Sequence, residues 1–410
     1  MLKPSPWIYE LAEEVLIESI KYPTVLGESY YEIVNYYAEI LSKHGVYVNI
    51  HRVPDEYVKQ TLPREYNPDK PRYILIARTG SGEKILQFNG HYDVVYPGEG
   101  WKITEPFKPK KIDNKIYGRG STDMKGGIAS IIGTLVYLST ISDLNIVVEA
   151  VIVPDEEIGG LTGTGYLVEY MNSRPNWVVI AEPSGLENIW IGHKGLVWGF
   201  IKTKGIQVHG SIPWLGDNAF EKMVKVADYF IKNYLPYLKN KKSSYIYDAP
   251  GGEYPSATLG GKLIAPGSIN IVPGVSGFSI DRRLIIEENV DEVVGEINNF
   301  VERASRELGF EVEFSIVEKM NPAFTNPESK LVKTLSKVVY KQIGVEPVKT
   351  VCVGGLDMRY YSYRGIETVA YGPGVPYMSH QVDEYIVLDN VFKVIDIYVD
   401  LAYNLSLETV

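Results

Sequence analysis

Ile85-Leu-Gln-Phe-Asn-Gly-His91-Tyr-Asp93 reads as a short buried strand running straight into a turn that carries an imidazole and a carboxylate. The same device recurs along the chain. Asn145 to Val153 is an apolar strand that leads into Pro154-Asp-Glu-Glu157, and Trp177 to Ala181 is another that leads into Glu182. Helical patterns lie between them, at Lys125 to Leu138 and Gly163 to Met171. Upstream, Trp7 to Ile20 and Tyr31 to His44 show helical spacing, with Gly45 as a C-cap, and Val46 to Arg52 and Tyr73 to Arg78 read as strands. Strands alternating with helices, with reactive residues at the strand ends, predict an α/β layered fold with its functional loops at one edge of a sheet.

From about Gly195 the texture changes. Leu196 to Lys202 alternates like a strand with one exposed face, and an amphipathic helix follows at Asn218 to Lys232. A Gly- and Pro-rich connection, Lys239 to Pro255, precedes Ser268 to Ile271, Val275 to Leu284, a helix at Val290 to Leu308 and a strand at Glu311 to Val317. Strand-helix-strand-strand-helix-strand predicts a small two-layer α+β domain inserted into the first. After Pro322 the alternation resumes at Glu328 to Ile343, Thr368 to Tyr371 and Asn390 to Leu405. The expected organisation is therefore 1–194, an inserted 195–318, and 319–410.

Composition narrows the function. With 410 residues, 45% apolar and 22% charged, the chain can bury sizeable cores and is not a disordered or repetitive protein. Its net charge of −10 and scattered Lys and Arg argue against nucleic-acid or anionic-membrane binding. One cysteine, Cys352, excludes an internal disulfide. The N-terminal segment carries Glu10, Glu13, Glu14 and Glu18, unlike a signal peptide, and the apolar runs are too short for a membrane helix. A cytoplasmic enzyme acting on a small molecule fits these bounds.

His91, Asp123, Glu156, Glu157, Glu182 and His380 each fall at a strand end or in the loop after it. The steps 91 to 123, 123 to 157 and 157 to 182 are each about one βα unit, and the jump from 182 to 380 is what an inserted domain produces. If these loops converge, Asp93, Asp123, Glu156, Glu157 and Glu182 form a cluster of like charges that cannot all ionise without compensation. Two divalent cations would supply it, and mixed imidazole and carboxylate donors suit zinc, with cobalt or manganese as alternatives. On an extended segment His91 and Asp93 share a side, so the Asp93 carboxylate is expected to accept from the imidazole nitrogen that does not bind metal. In Glu156-Glu157, one neighbour can ligate while the other carries a proton. Gly118-x-Gly120-x-x-Asp123 also looks like a degraded dinucleotide fingerprint. An anion at its third glycine position would repel a pyrophosphate.

Five ordered stretches then carry a family resemblance. They are Asn89-Gly-His-Tyr-Asp-Val-Val95, Gly118-Arg-Gly-Ser-Thr-Asp-Met-Lys-Gly-Gly127, Asp155-Glu-Glu-Ile-Gly159, Ala181-Glu-Pro-Ser184 and Ser379-His-Gln-Val-Asp-Glu-Tyr385. The chain resembles the di-zinc amidohydrolases that include acetylornithine deacetylase, succinyl-diaminopimelate desuccinylase, aminoacylase and glutamate carboxypeptidase. The resemblance implies a zinc-exopeptidase-like catalytic domain, a mixed sheet flanked by helices, with an inserted α+β lid and dimerisation domain. It implies that His91, Asp123 and Glu182 hold one metal and that Asp123, Glu157 and His380 hold the other, with Asp123 bridging. Glu156 would be the general base that deprotonates a metal-held water and returns the proton to the leaving amine. It also implies a cis peptide at Asp123-Met124 and a homodimer.

In the inserted segment, Val208-His-Gly-Ser-Ile-Pro213 resembles the family's lid histidine motif, which gives His209 the task of donating to the oxyanion. Ser268-Ile-Asn-Ile-Val-Pro273 and Ser279-Ile-Asp-Arg-Arg283 also match, making Asn270 and Arg283 candidates to hold a substrate carboxylate. Gly192-His-Lys-Gly195 stands where desuccinylases carry paired arginines, so Lys194 is a candidate replacement. Leu356 stands where the family often has Thr, and Arg359 could reach a terminal carboxylate. The expected substrate is an N-acyl amino acid or a short peptide with a free carboxylate. A carboxypeptidase or dipeptidase of the same family is the near alternative, and a dinucleotide-dependent oxidoreductase the distant one. A serine hydrolase is disfavoured, because no Gly-x-Ser-x-Gly elbow occurs.

Overall fold

The computed structural model describes residues 2–407, which form two compact units. Of the described residues, the first contains 2–191, 325–349 and 356–407, and the second 192–324 and 350–355. In the first unit, strand Tyr73–His91 is the spine of a mixed sheet. Its two halves pair with Asn145–Val153 in opposite senses, from Leu75↔Ile152 to Gly80↔Val147 and from Ile85↔Val147 to His91↔Val153. Trp177–Ile180 adds in parallel to the second half, and Glu367–Ala370 adds in parallel to Trp177–Ile180. The pairs His91↔Val153 and Asn89↔Ile180 bring the ends of three strands to one edge. His91, the Asp155 turn and Glu182 follow directly from those ends.

The strands are apolar and buried on both sides, as expected for a sheet covered by helices. Helix Gly126–Leu138 is buried at every position except Tyr137, because its sequence is apolar all round. It packs on the sheet and on helices Pro6–Lys21 and Leu388–Leu407. Gly127 permits its close approach, since a Cβ there would lie 2.2 Å from the Ala181 carbonyl oxygen, one residue before Glu182. Among the described residues no helix is long and apolar enough to cross a membrane.

The second unit is a four-stranded antiparallel sheet in the order Ser256–Ile264, Val275–Leu284, Gly195–Lys204, Val312–Met320. Helices Ala219–Tyr229 and Val290–Leu308 pack against it through Met223, Val226, Ile297 and Phe300, over Val197, Ile201, Phe278 and Ile280. Asn218 and Asn289 cap these helices through their side-chain oxygens. One strand departs from the sequence expectation. The edge strand is Ser256–Ile264, not Ser268 to Ile271, of which only Ile271 enters a strand, the two-residue Ile271–Val272 paired with Val208–His209. Gly260 and Gly261 sit in the middle of Ser256–Ile264, whose register shifts between Leu259 and Leu263, so apolar alternation is absent there.

Candidate metal centre

His91 ends its strand with a buried imidazole. Its Nε2 lies 3.1 Å from Asp123 Oδ1 and 3.8 Å from Glu182 Oε1. The other oxygen of Asp123, Oδ2, lies 3.5 Å from His380 Nε2, which is 3.0 Å from Glu157 Oε1. Asp123 thus turns one oxygen to each histidine. The donor atoms of His91, Asp123 and Glu182 all fall within 4.8 Å of one another, as do those of Asp123, Glu157 and His380.

The cluster is electrostatically uncompensated by protein groups alone. Burial, then the charge of Asp123, pushes the Glu182 carboxyl well above the usual carboxylate range, and its Oε1 is buried with no hydrogen-bond partner. Glu157 is raised by burial and by Asp123, against the lowering pull of His380. The hydrogen bond to Glu157 brings His380 up to about 9. Burial and the neighbouring Glu182 and Asp357 also push Glu156 well up. An orphaned carboxylate oxygen beside two sets of mixed nitrogen and oxygen donors fits divalent cations of the zinc type.

The backbone around the cluster is fixed by carboxylates that are not among these donors. Asp93 accepts the N–H groups of Glu156 (3.2 Å) and Glu157 (3.1 Å). The His91 Nδ1 partner is consequently the Asp93 backbone oxygen at 2.9 Å, with the carboxylate farther away at 3.5 Å. The carboxylate expected to orient the imidazole is mainly occupied with the Glu156 turn. Asp155 is held by Arg72 Nε at 2.5 Å, the Tyr30 hydroxyl at 2.9 Å and the Thr162 hydroxyl at 2.5 Å. Its φ of 64° starts the Glu156–Ile158 turn.

Glu384 does the same for the Asp123 turn, accepting from the N–H groups of Gly120 (2.9 Å), Thr122 (2.8 Å) and Asp123 (3.1 Å), and from Arg119 at 2.7 Å. Arg119 also donates to the His380 carbonyl, so the loops bearing Asp123 and His380 are tied together. These N–H groups, which a dinucleotide pyrophosphate would need, are taken by a carboxylate. That removes the physical basis of the oxidoreductase alternative. The Asp123-Met124 peptide is cis. Glu384 lay inside the quoted Ser379 to Tyr385 stretch, but nothing in the sequence distinguished its role from that of a surface acid.

Residues 87–404 match the family model described as Peptidase family M20/M25/M40. The chain belongs to this peptidase family. A relative named probable succinyl-diaminopimelate desuccinylase, from Staphylococcus aureus (strain MRSA252), is 28% identical over 395 residues, covering 90% of this chain and 91% of the relative. The M20 metallo-carboxypeptidase Sso-CP2 from Sulfolobus solfataricus shares the fold with a TM-score of 0.73 at 22% identity, over 97% of this chain and 99% of that one. The YXEP protein of Bacillus subtilis, described as a dinuclear metal-binding peptidase of the family, matches with a TM-score of 0.71 at 15% identity, over 99% and 100%. As an M20 peptidase-family member, the protein is a metal-dependent hydrolase of amide bonds in acyl amino acids or peptides.

Of the remaining sequence candidates, Arg359 lies in the first unit, and His209, Asn270, Arg283 and Lys194 lie in the second. Arg283 pairs with Asp281 at 2.8 Å and stacks over Trp198. Lys194 Nζ donates to the Tyr254 carbonyl at 2.7 Å. His209 stands on the paired ribbon and Asn270 directly precedes its second strand, where the Gly210 N–H bonds the Asn270 carbonyl at 2.7 Å.

Proposed function

We propose that the enzyme removes the acyl group from an N-acyl amino acid of the succinyl-diaminopimelate kind, using two divalent ions, zinc first among candidates. The ions would be held by His91, Asp123 and Glu182, and by Asp123, Glu157 and His380. The observation that carries this reading is the division of the two Asp123 oxygens between two histidine–carboxylate sets. Bound there, the cations would supply an acidified water and polarise the amide carbonyl. Glu156 takes the proton of the attacking water and delivers it to the departing nitrogen, a task suited to a carboxyl whose proton affinity is raised.

His209 is assigned to the oxyanion. The Ser211 N–H donates to His209 Nδ1 at 3.1 Å, which leaves Nε2 protonated and able to donate to an oxyanion. Asn270 Oδ1 accepts from the Ser268 hydroxyl at 2.6 Å, leaving its amide N–H groups for a substrate oxygen. We assign Asn270, Arg283 and Lys194 to the substrate carboxylate. We also assign the protein to the cytoplasm as a homodimer, and helix Ala219–Tyr229 supports that assembly by exposing Phe220 and Val224 one turn apart. A carboxypeptidase or dipeptidase reading is favoured by one feature, His193-Lys194 where desuccinylases carry paired arginines.

Glu156→Gln tests the assignment of roles. Turnover should disappear while metal content stays at two ions per chain, and loss of the ions would make Glu156 a ligand. Assays on N-succinyl-diaminopimelate, N-acetyl amino acids and dipeptides separate the substrate readings. A preference for dipeptides would overturn the deacylase.

A further inference from the structure

The Glu156 side chain carries the proton in the proposed reaction, yet among the described residues no hydrogen bond to its carboxylate is seen. Its direction is therefore set by the backbone of its turn. The start of the turn is held by Asp155 and by the Asp93 carboxylate, as described above. The end is held differently. The Gly159 carbonyl accepts from Arg359 Nη2 at 2.6 Å and from the Tyr360 hydroxyl at 2.5 Å, filling both lone-pair positions.

Arg359 is committed at this place. Its Nη1 donates to the Leu356 carbonyl at 2.8 Å, its guanidinium stacks on the Tyr360 ring, and only 11% of its side chain is exposed. Asp357, two residues earlier, packs against the next glycine, where a Cβ on Gly160 would lie 2.1 Å from its Oδ1. Gly159 and Gly160 take φ of 103° and 67°, so the turn reverses at the point where the 357–360 segment grips it.

We propose that Arg359 and Tyr360 are positioning residues that latch the Glu156 turn through the Gly159 carbonyl, and that Arg359 does not hold the substrate carboxylate. The inference rests on the assignment of Glu156 as the proton carrier. A turn held at both ends keeps the carboxylate within reach of the reacting water. Released at Gly159, it could rotate away without disturbing Glu157, whose N–H stays on Asp93.

The test uses the full-length, metal-loaded enzyme with its best amide substrate. Arg359→Met should lower kcat roughly 10–100-fold, the scale of a misplacement near 1 Å, with KM within about threefold and two ions retained per chain. Tyr360→Phe, which deletes one oxygen and keeps the ring, should lower kcat several-fold with KM equally unmoved, and it carries the test if Arg359→Met does not fold. Arg359→Lys should recover a good part of kcat, because an ammonium can donate to the same carbonyl. A raised KM at unchanged kcat, loss of metal, or a lysine variant as slow as the methionine one would overturn the latch. A wild-type enzyme inactive on every amide would overturn the proposed function itself, and the latch with it.

Discussion

Glu384→Gln should unfold this protein more readily than its conservative appearance suggests. The Glu384 carboxylate is fully buried and receives four donors, two on each oxygen: Thr122 and Asp123 N–H on Oε1, Gly120 N–H and Arg119 on Oε2. An ionised carboxylate can accept all four, but a glutamine amide accepts only at its oxygen. Whichever way the amide turns, two donors face N–H groups, at about 1–3 kcal/mol each for a buried unsatisfied group. Arg119, itself 1% exposed, also loses its counter-charge, and breaking such a buried pair costs about 3–5 kcal/mol. These terms overlap, so the expected loss is about 3–5 kcal/mol, read from urea midpoints of the metal-loaded protein. Because three of the donors belong to the Asp123 turn, metal affinity should fall as well. A loss below about 1 kcal/mol with both ions retained would show that Glu384 does not organise that turn.

Three further outcomes follow from the same geometry. Chelation should abolish activity and lower the unfolding midpoint, because a ligand at 100 times its Kd adds about 2.7 kcal/mol to the folded state, and metal should restore both; an unchanged midpoint would remove the ions from the carboxylate cluster. Arg72→Met strands Asp155 with only two hydroxyl donors and should cost about 3–5 kcal/mol in urea denaturation, whereas a loss under about 1 kcal/mol would refute the pair's role. Burial, reinforced by Arg282 and Arg283, pulls Lys194 down to about 8, so between there and its ordinary value near 10.5 the unfolded chain binds more protons. Stability from this group therefore rises with pH across that window, and wild type should gain on Lys194→Met as pH increases; parallel stability curves would contradict this.

The strand ends were legible because each one couples two signals, an apolar run and a reactive residue after it. Ile85 to Asn89, Asn145 to Val153 and Trp177 to Ala181 all appear as strands of one sheet, with the residues expected at their ends. Legibility failed where one of the two signals is missing. Ser256–Ile264 is an exposed edge strand with paired glycines, and its place in the sheet comes from hydrogen bonds to Val275–Leu284 that no local pattern records. Strands Asn188–His193 and Val348–Cys352 lie in segments to which the sequence reading gives no element. Arg359 was read from its place in a family-like stretch and from its charge, and neither records that its guanidinium donates to a backbone carbonyl two hundred residues away.

The same ambiguity decides how the acidic residues must be sorted, and the sorting rests on donors rather than on sequence. Asp155, Glu156 and Glu157 are consecutive, yet Asp155 is held by Arg72, Tyr30 and Thr162, while among the described residues the Glu157 side chain hydrogen-bonds His380 alone. Asp93 and Glu384 are likewise consumed by backbone N–H groups. Glu182 keeps an orphaned oxygen, and neither oxygen of Asp357 has a well-formed hydrogen-bond partner. A carboxylate whose lone pairs are filled can hold a loop but cannot hold a cation, and an unfilled one buried among like charges is unstable until a cation arrives. Saturated acids therefore build the frame, and unsaturated ones face the chemistry. By this criterion Asp357, buried beside Glu156 and outside both donor sets, belongs electrostatically with the site although the sequence reading gave it no role.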